Sequence, residues 1–205
     1  MTKQKDAVKV SKDEKKRPLR ADALRNEDAV LQAAKEIFLT SGVNAPVRDI
    51  AAKAGVGIGT LYRRFPQRSD LVASVFRREV DDCAAKATTL ATENAPLKAL
   101  KLWLKCYVDF LATKKGLAAA LHSGDPAFEA LPAYFRANFE PALTSLLIAA
   151  RDSGEIKEVV DPYDLLRAIG NLSVTNNADD IKHTYRILDL LINGLQFEKK
   201  TSRGV

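Results

Sequence analysis

Residues 95–113, APLKALKLWLKCYVDFLAT, limit the fold more than any other stretch of the chain. At the helical period, Leu97, Leu100, Trp103, Leu104, Tyr107, Val108 and Leu111 form one broad apolar face. Ala99, Leu102, Cys106 and Phe110 widen it, and only Lys98, Lys101, Lys105 and Asp109 leave a polar stripe. A helix apolar around most of its circumference has to be surrounded by other helices. The chain must therefore build a bundle around this segment.

The rest of the sequence agrees with an all-α fold. Of the 205 residues, 46% are hydrophobic and 28% charged. Only 10 Gly and 8 Pro interrupt them, and no alternating strand pattern persists. Periodicity predicts helices over 27–41, from Pro46 to Ala54, and over 69–90, 95–113, 116–122, 128–152, 162–175 and 181–198. The first carries Val30, Ala33, Ala34, Ile37 and Phe38 on one stripe and stops at Gly42. Pro46 suits a first helical turn, and Val47, Ile50, Ala51 and Ala54 would face inward. Gly124, Pro126 and the run Ser153 to Glu155 break the later helices, and Asp161 before Pro162 caps the next one. TNNADD at 175–180 reads as a loop.

The charge is unevenly placed. Residues 1–65 hold 14 Lys and Arg against 8 Asp and Glu, whereas residues 66–205 hold 18 of each. The whole excess of +6 lies in the first third, which is where a negatively charged partner would be met. Residues 1–24, with Lys15, Lys16, Arg17 and Arg20, read as a disordered basic arm, either a solubilising tail or a nucleic-acid contact. No run is apolar enough to span a membrane, no signal peptide is visible, and two cysteines make no disulfide framework. A cytoplasmic protein is expected.

GVGIGTLYRRF, from Gly55 to Phe65, follows the short second helix. Gly55 can take a left-handed turn without steric cost, and Val56 can plug the space between two helices. Gly57 and Gly59 let the backbone come close to a phosphate or base. Leu61 and Phe65 pin the segment to a core, while Thr60, Arg63 and Arg64 point outward and Tyr62 holds its hydroxyl at backbone level. A short helix, a glycine turn and a second short helix make a helix-turn-helix, whose second helix enters the DNA major groove. Taken singly, the two arginines are a solvated face and the glycines a loop; together with the charge asymmetry they favour DNA.

These residues carry a resemblance. PVRDIAAKAGVGIGTLYRRFPQRSDL, with the helix before it and the long helix after it, resembles the N-terminal domain of the TetR family of transcriptional repressors. Gly55, Val56, Thr60, Leu61, Tyr62, Phe65, Arg68 and Leu71 fit the family's pattern, which covers about residues 25–75; Pro46 departs from its usual Thr or Ser cap. The resemblance implies DNA contacts at Arg48, Gly57, Ile58, Thr60, Tyr62, Arg63, Arg64 and Arg68. Thr60, Tyr62 and Arg68 would meet phosphates, and Ile58, Arg63 and Arg64 would meet bases or adjacent phosphates. The expected organisation is a helix-turn-helix domain over 25–68 and a helical ligand-binding and dimerisation domain over 69–205.

The last two helices are apolar on two sides. Leu188 and Leu195 lie on one stripe of 181–198, Leu191 and Gly194 on another; Leu166, Ile169 and Gly170 on 162–175 are matched by Leu165, Ala168 and Leu172. One stripe must face the core, so the second needs another chain or a third layer of the same one. The resemblance favours a homodimer joined through Leu166, Ile169, Gly170, Leu188, Leu191, Gly194 and Leu195, bound to a pseudo-palindromic double-stranded operator. Trp103, Tyr107, Phe110, His122, Tyr134 and Asn138 could surround an unknown small-molecule inducer, or simply fill the core. His122 and His183 with the separated Cys83 and Cys106 give no metal-ligand spacing. No cofactor is expected. The chain also lacks a phosphate loop or nucleophile elbow, so an enzyme is not expected. A helical protein-interaction module without DNA binding is the alternative; it leaves Tyr62, Arg63 and the confined charge without a purpose.

Overall fold

The computed structural model describes residues 25–113, 124–173 and 178–196. Eight α-helices and no strand occur among them. They are α1 (25–41), α2 (Val47–Ala54), α3 (Ile58–Arg64), α4 (Arg68–Glu93), α5 (Pro96–Thr113), α6 (Leu131–Asp152), α7 (Pro162–Leu172) and α8 (Ala178–Leu195). The chain divides into two compact units, one ending at Val75 and the other beginning at Phe76. The all-α fold is the one expected. The helix expected over 116–122 falls largely outside the described residues.

In the first unit the core is built from the expected faces. Val30, Ala33, Ala34 and Phe38 of α1, Val47, Ile50 and Ala51 of α2, and Leu61 and Phe65 around α3 are all buried. Gly42 ends α1 with a left-handed φ of 77°, and its N–H donates to the Phe38 carbonyl. Pro46 sits one position earlier than expected, as the N-cap of α2 rather than inside its first turn, in the extended conformation that a proline ring fixes. Ala54 is only partly covered, because it lies in the last turn beside the exposed Gly55.

The second unit is organised around α5, which packs against α6, α7 and α8. Its Ala99, Leu100, Trp103, Leu104, Tyr107, Val108 and Phe110 are buried, while Lys98 and Asp109 stay exposed. Glu155, just past α6, accepts a hydrogen bond from the Leu97 N–H at 3.0 Å and so caps the start of α5. The backbone N–H groups of Lys157 and Glu158 donate to the Leu195 carbonyl at the end of α8. Gly154 closes α6 with φ 76°, and Asp161 caps α7 by accepting from the Asp164 N–H, both as the sequence implied.

Several helix ends differ from expectation, α4 running on to Glu93 and α8 stopping at Leu195 among them. A 3-10 turn over Pro126–Phe128, capped by the Asp125 carboxylate accepting from Ala127, comes before α6, which starts at Leu131 with Pro132 in its first turn. Residues 178–180, expected as loop, are the first turn of α8, and α7 ends at Leu172 rather than at residue 175.

The faces of α7 and α8 also sort differently from expectation. Leu166, Ile169 and Leu188 are at most 1% exposed in the single chain, so they belong to its own core and not to a surface. The nearest atom to a side chain placed at Gly170 is the Tyr107 hydroxyl of the same chain. Leu191 and Leu195 are half-covered, Gly194 and Ala168 are exposed, and Leu172 and Leu190 are left open. The period alone marked two stripes; which one turns inward depends on the tilt against α5.

Candidate nucleic-acid interface

Gly55 turns the chain between α2 and α3. It has φ 67° and ψ 26°, and its N–H closes onto the Ala52 carbonyl at 3.2 Å, with Val56 N–H donating to Ala51 at 3.0 Å. A residue with a Cβ is strained in this left-handed region. Val56 is half-buried, as a plug between two short helices should be. Gly57 is the N-cap of α3 and supplies no side chain to the free amides there. The helix starts at Ile58, so Gly59 lies inside α3 rather than in the approach to it, with open space where a Cβ would stand.

Leu61 and Phe65, four residues apart, are 2% and 4% exposed and fix the inner face of α3. The opposite face carries Ile58 and Tyr62, each 48% exposed, with Thr60, Arg63 and Arg64 also outside. A half-exposed Ile and Tyr on a two-turn helix is an unusual way to face water, and one suited to base methyls and phosphates.

The basic candidates are in different circumstances. Arg63 reaches only the Gly59 carbonyl of its own helix, at 3.4 Å, and pairs with no carboxylate among the described residues. Arg64 instead donates through Nη2 to Glu27 Oε1 of α1 at 2.8 Å, and that hydrogen bond holds the guanidinium above its ordinary pKa. Arg48 on α2 is exposed beside Asp49. Arg68, at the start of α4, gives Nη1 to the carbonyls of Val43 and Ala45 at 2.5 and 2.7 Å, tying α4 to the α1–α2 turn. These internal bonds to Glu27, Val43 and Ala45 could not be read from residue spacing, since each joins groups more than 20 positions apart. Lys53 pairs with Glu36 at 2.8 Å and lowers the Glu36 pKa, which latches α2 onto α1.

In the second unit, the candidate ligand residues do not converge on one space. Trp103, Tyr107 and Phe110 are buried, in ring-on-ring contact with one another, with the buried Phe139 and with the half-buried Phe135, centroids 4.7 to 6.3 Å apart. Trp103 Nε1 donates to the Cys83 carbonyl at 2.9 Å, and the Tyr107 hydroxyl donates to the Leu166 carbonyl at 3.2 Å. Burial pushes the Tyr107 hydroxyl pKa up and the Cys83 thiol to about 12. Tyr134 bonds Asp81 at 2.6 Å near the surface, and Asn138 donates to the Tyr134 carbonyl. His122 lies outside the described residues. An open apolar groove of about 640 Å³ runs elsewhere, along α6 past Ala133, Ala137, Pro141 and Ile148.

Comparison with known proteins decides what kind of chain this is. Residues 30–75 match the family of bacterial regulatory proteins, tetR family. Residues 95–197, half of the chain, match the family described as transcriptional regulator SbtR-like, C-terminal domain. The chain belongs to the TetR family. A TetR transcriptional regulator from Streptomyces coelicolor is 33% identical with a TM-score of 0.71, over 83% of this chain and 98% of that one. A TetR transcription regulatory protein from Mycobacterium vanbaalenii is 32% identical with a TM-score of 0.67, over 88% and 100% of the two chains. An HTH-type transcriptional regulator of Staphylococcus aureus is 28% identical over 109 residues, 52% of this chain and 59% of its own length. Another from that species is 39% identical over 64 residues, 31% of this chain and 35% of its own. The match thus spans less than two thirds of these curated relatives.

Within the TetR fold, the two glycines of the motif have opposite physical roles. Gly55→Ala is expected to lower the unfolding free energy by about 1–2 kcal/mol, the cost of a Cβ in the left-handed region. Gly59→Ala is expected to raise it by about 0.5–1 kcal/mol, because the methyl meets nothing and stiffens a helix interior. Urea unfolding of both variants checks the opposite signs.

Proposed function

We propose that this TetR-family chain is a dimeric, sequence-specific repressor that reads its operator through α3 and is released by a small-molecule inducer. The observation that carries the reading is the outer face of α3. Tyr62 and Ile58 are half-exposed there, and Arg63 stands beside them without a carboxylate partner among the described residues. A planar guanidinium can bond guanine O6 and N7 together, whereas a tyrosine hydroxyl offers a single bond to phosphate that fixes register. Arg48, Gly57, Thr60, Arg64 and Arg68 complete the proposed contact set, with Arg68 and Arg64 partly committed to the protein itself. Arg63→Ala is expected to cost about 1–3 kcal/mol on the operator and to relax preference at one position of each half-site. Tyr62→Phe is expected to weaken every duplex alike, by about 0.5–1.5 kcal/mol. Binding isotherms on the operator and its single-base variants check both; Arg63→Ala binding each variant as wild type does would remove Arg63 as the reader.

A second copy would cover the apolar residues that α7 and α8 leave open. Leu190 is 66% exposed and Leu172 37%, and Leu191 and Gly194 adjoin Leu190 on α8. Leu195 and Gly170 lie at the margin of this proposed face, and Leu166, Ile169 and Leu188 would support it from beneath. Two symmetric α7–α8 pairs make a four-helix interface of self-complementary type. Leu191→Glu is expected to shift sedimentation from dimer to monomer and to abolish operator binding. A compact wild-type monomer with full DNA binding contradicts the proposal.

The inducer is proposed to enter the aromatic cluster of the second unit, where Trp103, Tyr107 and Phe110 offer buried apolar surroundings, with Tyr134 and Asn138 closer to the surface; His122, the remaining candidate, lies outside the described residues. Entry requires the rings to part, so the ligand has to bind the open arrangement more tightly than the closed one. Titration with small aromatic compounds is expected to change the emission of Trp103, the only tryptophan, and to weaken operator binding in parallel. Emission and affinity both unmoved across a broad panel would mark the cluster as core.

A further inference from the structure

Arg63 and Arg64 are neighbours in sequence, but among the described residues only Arg63 carries its charge without a carboxylate partner on the outer face of α3. Arg64 Nη2 is held by Glu27 Oε1 at 2.8 Å, across 37 residues and between two helices. The carboxylate is the anchored partner: the Glu27 side chain keeps 24% of its exposure, the Arg64 side chain 62%. Glu27 therefore sits in place on α1 while the arginine reaches to it. The pair differs in kind from Arg48 with Asp49, which are adjacent residues on one exposed turn. It also differs from Lys53 with Glu36, which joins α2 to α1.

We propose that Glu27 is a positioning residue that limits sequence-independent DNA binding, by holding Arg64 on α1 and withholding its charge from the phosphate backbone. The proposal rests on the reading of α3 as the element that faces DNA. Each arginine that neutralises a phosphate releases counterions and tightens binding to any duplex. A regulator needs the ratio between its operator and the large excess of other DNA, so surplus phosphate contacts retain it in the wrong places. An exposed ion pair is weak, yet a neighbour of the base reader that is occupied by Glu27 for most of the time is withheld in that proportion.

The test uses the full chain, a duplex selected from a random pool and a scrambled duplex of equal length. Glu27→Gln keeps the shape of the side chain and removes its charge. It is expected to tighten binding to both duplexes by about 2–5-fold, the range of an exposed pair. The slope of log affinity against log salt is expected to steepen by about 0.9, the signature of one added phosphate contact. In an Arg64→Gln background the same change is expected to do nothing, because the released arginine is gone. Unchanged affinity and slope in Glu27→Gln overturn the proposal, as does weaker binding by the folded variant. Equal tightening in the Arg64→Gln background also overturns it, since the effect would then come from removing a negative charge near DNA. Arg63→Ala serves as the separate control. If it leaves binding to both duplexes unchanged, Arg63 is not the reader; if Tyr62→Phe leaves binding unchanged as well, α3 is not the element that faces DNA, and the proposal falls with that reading whatever Glu27→Gln does.

Discussion

A seven-residue helix does not hold itself together in water, because nucleation costs more than two turns of hydrogen bonds return. The first unit depends on how α3 escapes that constraint. Leu61 and Phe65 bury one side of it, each worth about 1.5–3 kcal/mol of transfer free energy. Gly55 sets the angle at which the chain arrives, since its φ of 67° is open to glycine and strained for most other residues. With one face and one entry angle fixed, the directions of Ile58, Tyr62 and Arg63 follow. The Lys53–Glu36 pair and the two carbonyl bonds from Arg68 add charge-assisted ties around the same short helices. The outward face is thus rigid by virtue of what lies behind it.

The second unit solves a different problem. α5 is apolar on most sides and is satisfied by neighbours on several. Its two polar aromatic tips meet backbone carbonyls of α4 and α7, so neither of these buried donors is left to oppose the packing. Tyr185 bonds Asp109 across α8 and α5; burial first, then that hydrogen bond, push its hydroxyl pKa to about 12. The result is a dense aromatic cluster, which gives the proposed inducer a demanding site: it must separate rings that already satisfy one another.

Much of this was legible in the sequence because the deciding features are local. The left-handed Gly55, the Leu61 and Phe65 anchors, the Asp161 cap and the central position of α5 all follow from spacing and residue type. The features that spacing missed are long-range. Glu27 and Glu36 appear in sequence as ordinary polar positions of α1, and only the folded chain brings them to Arg64 and Lys53. Arg68 has the look of a free cation and is spent in part on Val43 and Ala45. The two stripes of α7 and α8 were visible, but their assignment was not. Leu166 and Leu188 went inward and Leu190 outward because rotation about a helix axis is set by the neighbours. Gly59 lies inside α3 despite its poor helix propensity, because the anchored apolar residues of the same helix override one poor helix former.

The central claim is that the outer face of α3, presented twice by a symmetric pair of chains, selects DNA by sequence. Selection from a random duplex pool by the purified full-length chain tests it most directly. The expected result is enrichment of a pseudo-palindrome whose half-sites are centred about one helical turn apart or slightly more, the spacing imposed by two helices in successive major grooves. A pool that stays random after repeated rounds, or an enriched site with a single unrepeated half, would contradict the account.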